Sequence, residues 1–189
     1  MEFFETVEAR SSCRAYTDRA VGREELERAL DAARRAPSAM NSQPWGFHVA
    51  SGDMRAKIGE IMERTTLYLD EYLKHVVEAD RLEAATRFMS RLGGAPIVIA
   101  LSAPRSSDEM NEVNTLLSVG AAMENLLLGL ADQGIGSVNV TFSYWVRDEI
   151  ADLLGLGADR YITSVIAVGY PDEAPHSTPR RADVVTWHE

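Results

Sequence analysis

Four arginines and two serines in this chain have the chemistry of an anion site. Arg10, Ser11, Ser12 and Arg14 lie close together near the N-terminus, and Arg180 and Arg181 form a second cationic pair near the C-terminus. Guanidinium forks and hydroxyls both donate to phosphate oxygens, so Arg10, Ser11, Ser12 and Arg180 are a suitable inventory for a phosphate dianion. The competing reading of the same residues is a solvated loop with surface arginines and turn-forming serines. The surroundings make a local cluster necessary. With a net charge of -10 and a pI of about 4.9, the chain as a whole repels anions. Nucleic acid and anionic membrane both reward a basic face, so neither is expected as a partner.

Other chemistries lack their residues. Cys13 is the only cysteine, which excludes an internal disulfide and a zinc site of paired cysteines, so redox work here needs a cofactor. His48, His75, His176 and His188 are isolated along the chain, and no metal site is expected of them. A dinucleotide fingerprint needs three glycines that open a helix after a strand. Gly134-Ile135-Gly136 lacks the third glycine and enters a strand, while Gly155-Leu156-Gly157 follows a helix; both read as turns. Neither a Walker loop nor a Gly-x-Ser-x-Gly elbow occurs.

The elements that must position the cationic segment follow from periodicity. Phe3 to Ala9 suits a short helix that leads into it. Leu26, Ala29, Leu30 and Ala33 recur at helical spacing, with Glu24 and Glu25 early and Arg34 and Arg35 late, as the helix dipole favours. Pro37 stops that helix. A loop of turn formers, Pro37 to Pro44, precedes a strand from Trp45 to Ala50, in which Trp45 is either a core anchor or a stacking partner. Helices are expected over Asp53 to Glu63 and Leu67 to Met89, the second with Leu69, Tyr72, Leu73, Val76 and Val77 on one side. Ile97 to Leu101 is a continuous apolar run, the mark of a strand buried on both faces. Val113 to Gln133 is the most apolar helix candidate, capped by Gly134. Strands are expected over Ser137 to Phe142 and Tyr161 to Val168, with a short helix from Arg147 to Leu154 between them. Prolines 171, 175 and 179 keep the tail irregular until about Ala182, after which Val184 to Trp187 is strand-like without a local partner. Mixed helices and strands in 189 residues give one α+β domain over 1–189, and the N-terminus has neither the basic start nor the apolar run of a signal peptide, so a cytoplasmic protein is expected.

Three distant segments in this order resemble the nitroreductase-like family of FMN-dependent oxidoreductases. Arg10-Ser11-Ser12-Cys13-Arg14-Ala15-Tyr16 is similar to its Arg-x-Ser-x-Arg/Lys-x-Phe/Tyr entry motif. Ala36 to Trp45 resembles its most recognisable stretch, small residues ending in Asn-x-Gln-Pro-Trp. Gly169-Tyr170-Pro171 followed by Pro179-Arg180-Arg181 is similar to its closing motif and basic phosphate contact, and Gly120 to Leu128 resembles its central helix. The likeness spans nearly the whole chain.

The resemblance implies a fold, a cofactor and a set of contacts. The fold is a central mixed, mainly antiparallel sheet flanked by helices, with the C-terminal tail exchanged in a homodimer. The cofactor is FMN, held by Arg10, Ser11, Ser12, Arg180 and, in reserve, Arg181. Arg14 is expected near the pyrimidine edge, where a cation favours the anionic reduced flavin. Pro37, Ser38, Ala39 and Asn41 are expected from the other subunit: small residues admit the backbone, and an Asn amide both donates and accepts, the alternative for Asn41 and Gln43 being ordinary turn capping. A backbone N–H from Thr141-Phe142 is expected at the reactive nitrogen.

Because the flavin carries the chemistry, no catalytic side chain is named; NAD(P)H is the expected reductant and a small-molecule acceptor such as a nitroaromatic or quinone takes the hydride in a ping-pong cycle. Two departures stand out: no glycine near Phe142, and Thr178 where a lysine is common. Phe142 or Tyr144 lines the substrate pocket or belongs to the core, and 64–91 is the available cover. The rivals are a specialised flavoenzyme of the same fold, a dehalogenase or dehydrogenase, and a non-catalytic flavin-binding protein.

Overall fold

The computed structural model describes residues 2–75, 77–175 and 178–188. Val76 and His176, both named above, lie outside them. Seven helices and four strands run in the order α1 (Phe3–Ala9), α2 (Arg23–Arg34), β1 (Gly46–Ala50), α3 (Gly52–Glu63), α4 (Thr66–Leu73), α5 (Ala79–Arg91), β2 (Ile97–Pro104), α6 (Glu109–Ala131), β3 (Gly136–Val140), α7 (Arg147–Leu153) and β4 (Arg160–Gly169) among the described residues. The strands form one antiparallel sheet in the order β1-β2-β4-β3. Among the described residues its one parallel element is a bridge between Ser12 and Ser137.

Alternation along the strands assigns each face of the sheet to a different set of helices. Val98, Ala100, Val138, Val140, Val165 and Ala167 face a cluster built with Ile58 and Met62 of α3, Leu69 of α4, Met89 of α5 and Ile150 of α7. Ile97, Ile99, Leu101, Ile166 and Val168 face Leu26 and Ala29 of α2 and Val119, Leu126 and Leu130 of α6. β2 is therefore buried on both faces, as its unbroken apolar run requires.

α6 is the one described helix long and apolar enough to cross a membrane by length and composition. It lies instead against α2 and the sheet, and Met110, Val113, Leu116 and Leu117 of its first half remain exposed.

Several expected boundaries moved. The helix expected over Leu67 to Met89 is two helices, because Glu78 takes extended backbone (φ -66°, ψ 156°) and starts α5 afresh. Both helices bury apolar residues in the same cluster, so one periodic stripe concealed the break. The strand expected over Ser137 to Phe142 stops at Val140; Thr141–Val146 is a tight helical turn in which the buried Ser143 hydroxyl donates to the Val140 carbonyl (3.1 Å). α6 starts at Glu109 rather than Val113, because the Asp108 side chain accepts from the Asn111 N–H at 2.8 Å and caps it. The strand-like tail, Val184 to Trp187, pairs with nothing among the described residues, and Trp187 is 84% exposed.

Candidate functional site

The cationic segment is a strap tied to the sheet edge. α1 ends at Ala9, and Arg10 turns into extended backbone (φ -62°, ψ 115°). The Cys13 N–H then donates to Ser137 O (3.0 Å) beside the parallel bridge to β3. Close approach is required here, since a Cβ on Gly136 would stand 2.7 Å from the Cys13 sulfur. Further along, the Thr17 N–H donates to Tyr170 O (2.9 Å), the Asp172 N–H donates to Ala15 O (2.9 Å), and the Tyr16 hydroxyl reaches the carbonyls of Cys13 (2.5 Å) and Ala167 (3.1 Å). The first motif and Gly169-Tyr170-Pro171 are thus neighbours, although about 150 residues separate them in sequence.

A cleft of about 220 Å³ opens along this strap, lined among others by Arg10, Ser11, Gly136, Ser137, Pro171 and Glu173. Arg10 keeps only a fifth of its side chain in solvent and faces the Glu124 carboxylate of α6 at 3.7 Å. Arg14 is exposed; its backbone N–H donates to Glu173 (2.5 Å), and one guanidinium nitrogen donates to Ser12 O at 3.4 Å. Among the described residues the Ser11 and Ser12 hydroxyls have no protein partner. Cys13 is buried, and burial above all pushes its thiol up to about 11, so it stays protonated at neutral pH and offers no thiolate.

The second motif is a strained loop. Met40, Asn41 and Gln43 all have left-handed backbone, with φ of 52°, 55° and 46°. For residues other than glycine this costs about 1–2 kcal/mol each, least for Asn. Two internal bonds and one to α6 hold the shape: Gln43 N–H to Ser38 Oγ (3.0 Å), Gln43 Nε2 to Asn41 Oδ1 (3.3 Å) and Ala39 N–H to Ser118 Oγ of α6 (3.3 Å). Pro37 and Asn41 are exposed, Ser38 and Ala39 half-buried, and Met40 at the tip is 99% exposed. Trp45 packs half-buried on the α2–α6 core.

Thr141 is exposed and Phe142 half-buried at the far end of β3. The Phe142 ring stacks on Trp145 (centroids 5.4 Å apart, planes 2° apart), and Tyr68 and Tyr72 of α4 close on Trp145, each at 5.4 Å. Helix α4, part of the expected cover, thereby rests on the turn that begins at Thr141. The remaining sequence-predicted residues stay apart: Arg180 is exposed and donates to Thr178 Oγ1 (3.0 Å), and Arg181 grips Asp183 through two bonds (3.0 and 2.9 Å). Glu124, Glu173 and Ser118 were not foreseen. They lie far from their partners in sequence, and nothing local marks them.

The donor set fits a phosphorylated planar cofactor. Two guanidinium groups and two uncommitted hydroxyls stand at one end of β3, and the Thr141–Phe142 turn stands at the other, about 13 Å away along four strand residues. Between them the Asn139 carboxamide oxygen is buried with no hydrogen-bond partner among the described residues, a polar contact left open.

Fold and strap together define an α+β protein with an arginine- and serine-bearing strap along one edge of an antiparallel sheet. The profile of the nitroreductase family matches residues 7–170, and the chain belongs to that family. A protein of Archaeoglobus fulgidus, provisionally named NADH dehydrogenase/NAD(P)H nitroreductase, is 31% identical over 176 residues, covering 91% of this chain and 87% of that one. The iodotyrosine deiodinase of Thermotoga neapolitana is 28% identical over 170 residues, 87% of this chain and 86% of its own. Among solved structures, an iodotyrosine deiodinase bound to FMN and 3-iodo-L-tyrosine superposes with a TM-score of 0.79 at 25% identity over 99% of both chains.

Proposed function

We propose that residues 1–189 form one FMN-binding domain, and that two copies make a cytoplasmic homodimeric oxidoreductase that passes electrons from NAD(P)H to a small acceptor. The observation that carries this reading is the Arg10–Arg14 strap, knitted to β3 and to Gly169–Pro171 with its hydroxyls uncommitted, in a chain of the nitroreductase family. FMN, once bound, would supply the redox chemistry, hydride exchange between a nicotinamide and the acceptor. The chain's own residues bind and orient. Arg10, Ser11 and Ser12 hold the phosphate. Arg14 offers a cation to the pyrimidine edge, and the Thr141–Phe142 backbone offers a donor to the ring. The loop of Pro37, Ser38, Ala39 and Asn41 reaches across to the partner's flavin. Arg180 and Arg181 complete the phosphate site once the tail is docked on the partner. The exposed apolar residues of α6 and of the tail, Met110, Val113, Leu117, Val184 and Trp187 among them, supply the surface such a dimer buries.

Acceptors of the nitroaromatic and quinone type suit the aromatic wall of Phe142, Trp145 and Tyr72, which presents ring faces and edges to a planar molecule. The experiment is to purify the protein, identify the released flavin by mass, and follow anaerobic bleaching by NADH and by NADPH before adding acceptors. A colourless protein, or one whose flavin no nicotinamide bleaches, overturns the proposal. Halotyrosine dehalogenation is the second reading, favoured by the Thermotoga deiodinase relative. Release of iodide from 3-iodotyrosine by the reduced protein, against no turnover of nitroaromatics, would select it.

A further inference from the structure

The strained loop is fastened at its exit by one side chain that no motif contains. Arg160 opens β4, at the sheet end opposite Gly169, and its guanidinium reaches back to the loop. One terminal nitrogen donates to Pro44 O (2.9 Å) and to Ser102 O (3.0 Å), and Nε donates to Ser102 Oγ (3.1 Å). Ser102 is fully buried at the register shift between Leu101 and Ser102, and its hydroxyl also meets His48 Nε2 of β1 at 2.9 Å. Among the described residues no carboxylate pairs with Arg160. A half-buried guanidinium that spends its donors on backbone carbonyls and a hydroxyl acts as a bracket, since a carboxylate partner would satisfy the charge more fully. What it brackets is the carbonyl of Pro44, the end of the loop just ahead of Trp45 and β1. Ser118 holds the other end, by accepting from the Ala39 N–H. Between these anchors lie the three left-handed residues Met40, Asn41 and Gln43, a conformation that persists only when its surroundings over-determine it.

We infer that Arg160 is a positioning residue for flavin binding, holding the 37–44 loop in the shape it needs to meet the flavin of the partner subunit. The inference rests on the functional reading above. It acts in trans: the bracket is in one protomer, and the affinity it supports is that of the other protomer's strap.

The test measures FMN affinity of the apoprotein by quenching of flavin fluorescence, with thermal midpoint and molecular mass recorded beside it. Arg160→Met keeps the stem and removes every donor. It is expected to weaken FMN binding about ten-fold or more while the protein remains a dimer, and Arg160→Lys, which can still reach one carbonyl, is expected to recover part of the loss. A mixed dimer of Arg160→Met and Arg10→Ala protomers decides the trans action. One of its two sites combines an intact strap with an intact loop, so half the sites are expected to bind FMN with wild-type affinity. Impairment of both sites overturns the trans action. Wild-type affinity in a dimeric Arg160→Met protein overturns the inference while leaving the functional reading intact. A wild-type protein that takes up no FMN overturns the functional reading itself. If Arg160→Met does not fold, Arg160→Lys carries the test: unchanged affinity overturns the inference and weakened affinity supports it.

Discussion

Gly93→Ala is expected to damage the strap without replacing any motif residue. Gly93 follows α5 with φ +62°, and a Cβ there would stand 2.0 Å from the Arg14 carbonyl oxygen and 2.7 Å from its carbon. The left-handed backbone alone costs a residue with a Cβ about 1–2 kcal/mol. A clash with backbone has no flexible end to yield, so the strap must move, and the Tyr16 N–H to Gly93 O bond (3.2 Å) moves with it. Losing that bond adds about 1 kcal/mol. A total near 2–3 kcal/mol corresponds in a chain of this size to a fall of roughly 4–12 °C in thermal midpoint. Because the displaced atoms belong to Arg14, FMN affinity is expected to fall as well. The assay is thermal unfolding of apoprotein and FMN-loaded protein, the gap between the two midpoints reporting affinity. A Gly93→Ala protein with both midpoints unchanged would refute the argument. A lowered apoprotein midpoint with an unchanged gap would show that Arg14 does not serve the flavin.

Arg10→Ala is expected to weaken FMN binding about ten-fold or more, as loss of a charge-assisted contact implies. Arg19→Ala, which removes a guanidinium 3.6 Å above the Tyr170 ring, should leave that affinity alone, and fluorescence titration of both variants compares them. Deleting the residues after Arg181 is expected to cost both dimeric mass and flavin content, read by light scattering and absorbance; an active, flavin-loaded monomer would break the tail-exchange model. Burial first, and the Arg160 charge second, hold the His48 imidazole below its ordinary value of 6.5. The folded protein therefore binds fewer protons than the unfolded chain just below that pH, so this contribution to stability is complete above pH 6.5 and is lost as pH falls toward the folded-state value. Thermal midpoints taken between pH 7.5 and 5.5 should fall less steeply in His48→Gln than in the wild type.

Much of the site is local chemistry, and local chemistry is legible. Arg10, Ser11, Ser12 and Arg14 sit together in sequence because one extended strap presents them, and the 37–44 loop announces itself by its density of turn formers. The double burial of β2 follows from its unbroken apolar run, whereas the apolar pattern of α6 does not separate its buried Val119, Leu126 and Leu130 from its exposed Leu116 and Leu117. What pairs across long separations was not legible. Glu124 opposite Arg10, Glu173 beneath the Arg14 amide, Ser118 at the loop entry and Arg160 at its exit are ordinary polar residues until the sheet brings them together. Periodicity likewise could not separate α4 from α5, since a hydrophobic stripe reports which residues are buried and not whether one axis carries them. The order β1-β2-β4-β3 belongs to the same class, because it pairs β2 with β4 across the intervening α6, β3 and α7. Sequence spacing specifies chemistry that a single segment can present. Tertiary structure alone decides which carboxylate, hydroxyl or guanidinium each segment meets, because those contacts are set by packing across the sheet rather than by distance along the chain.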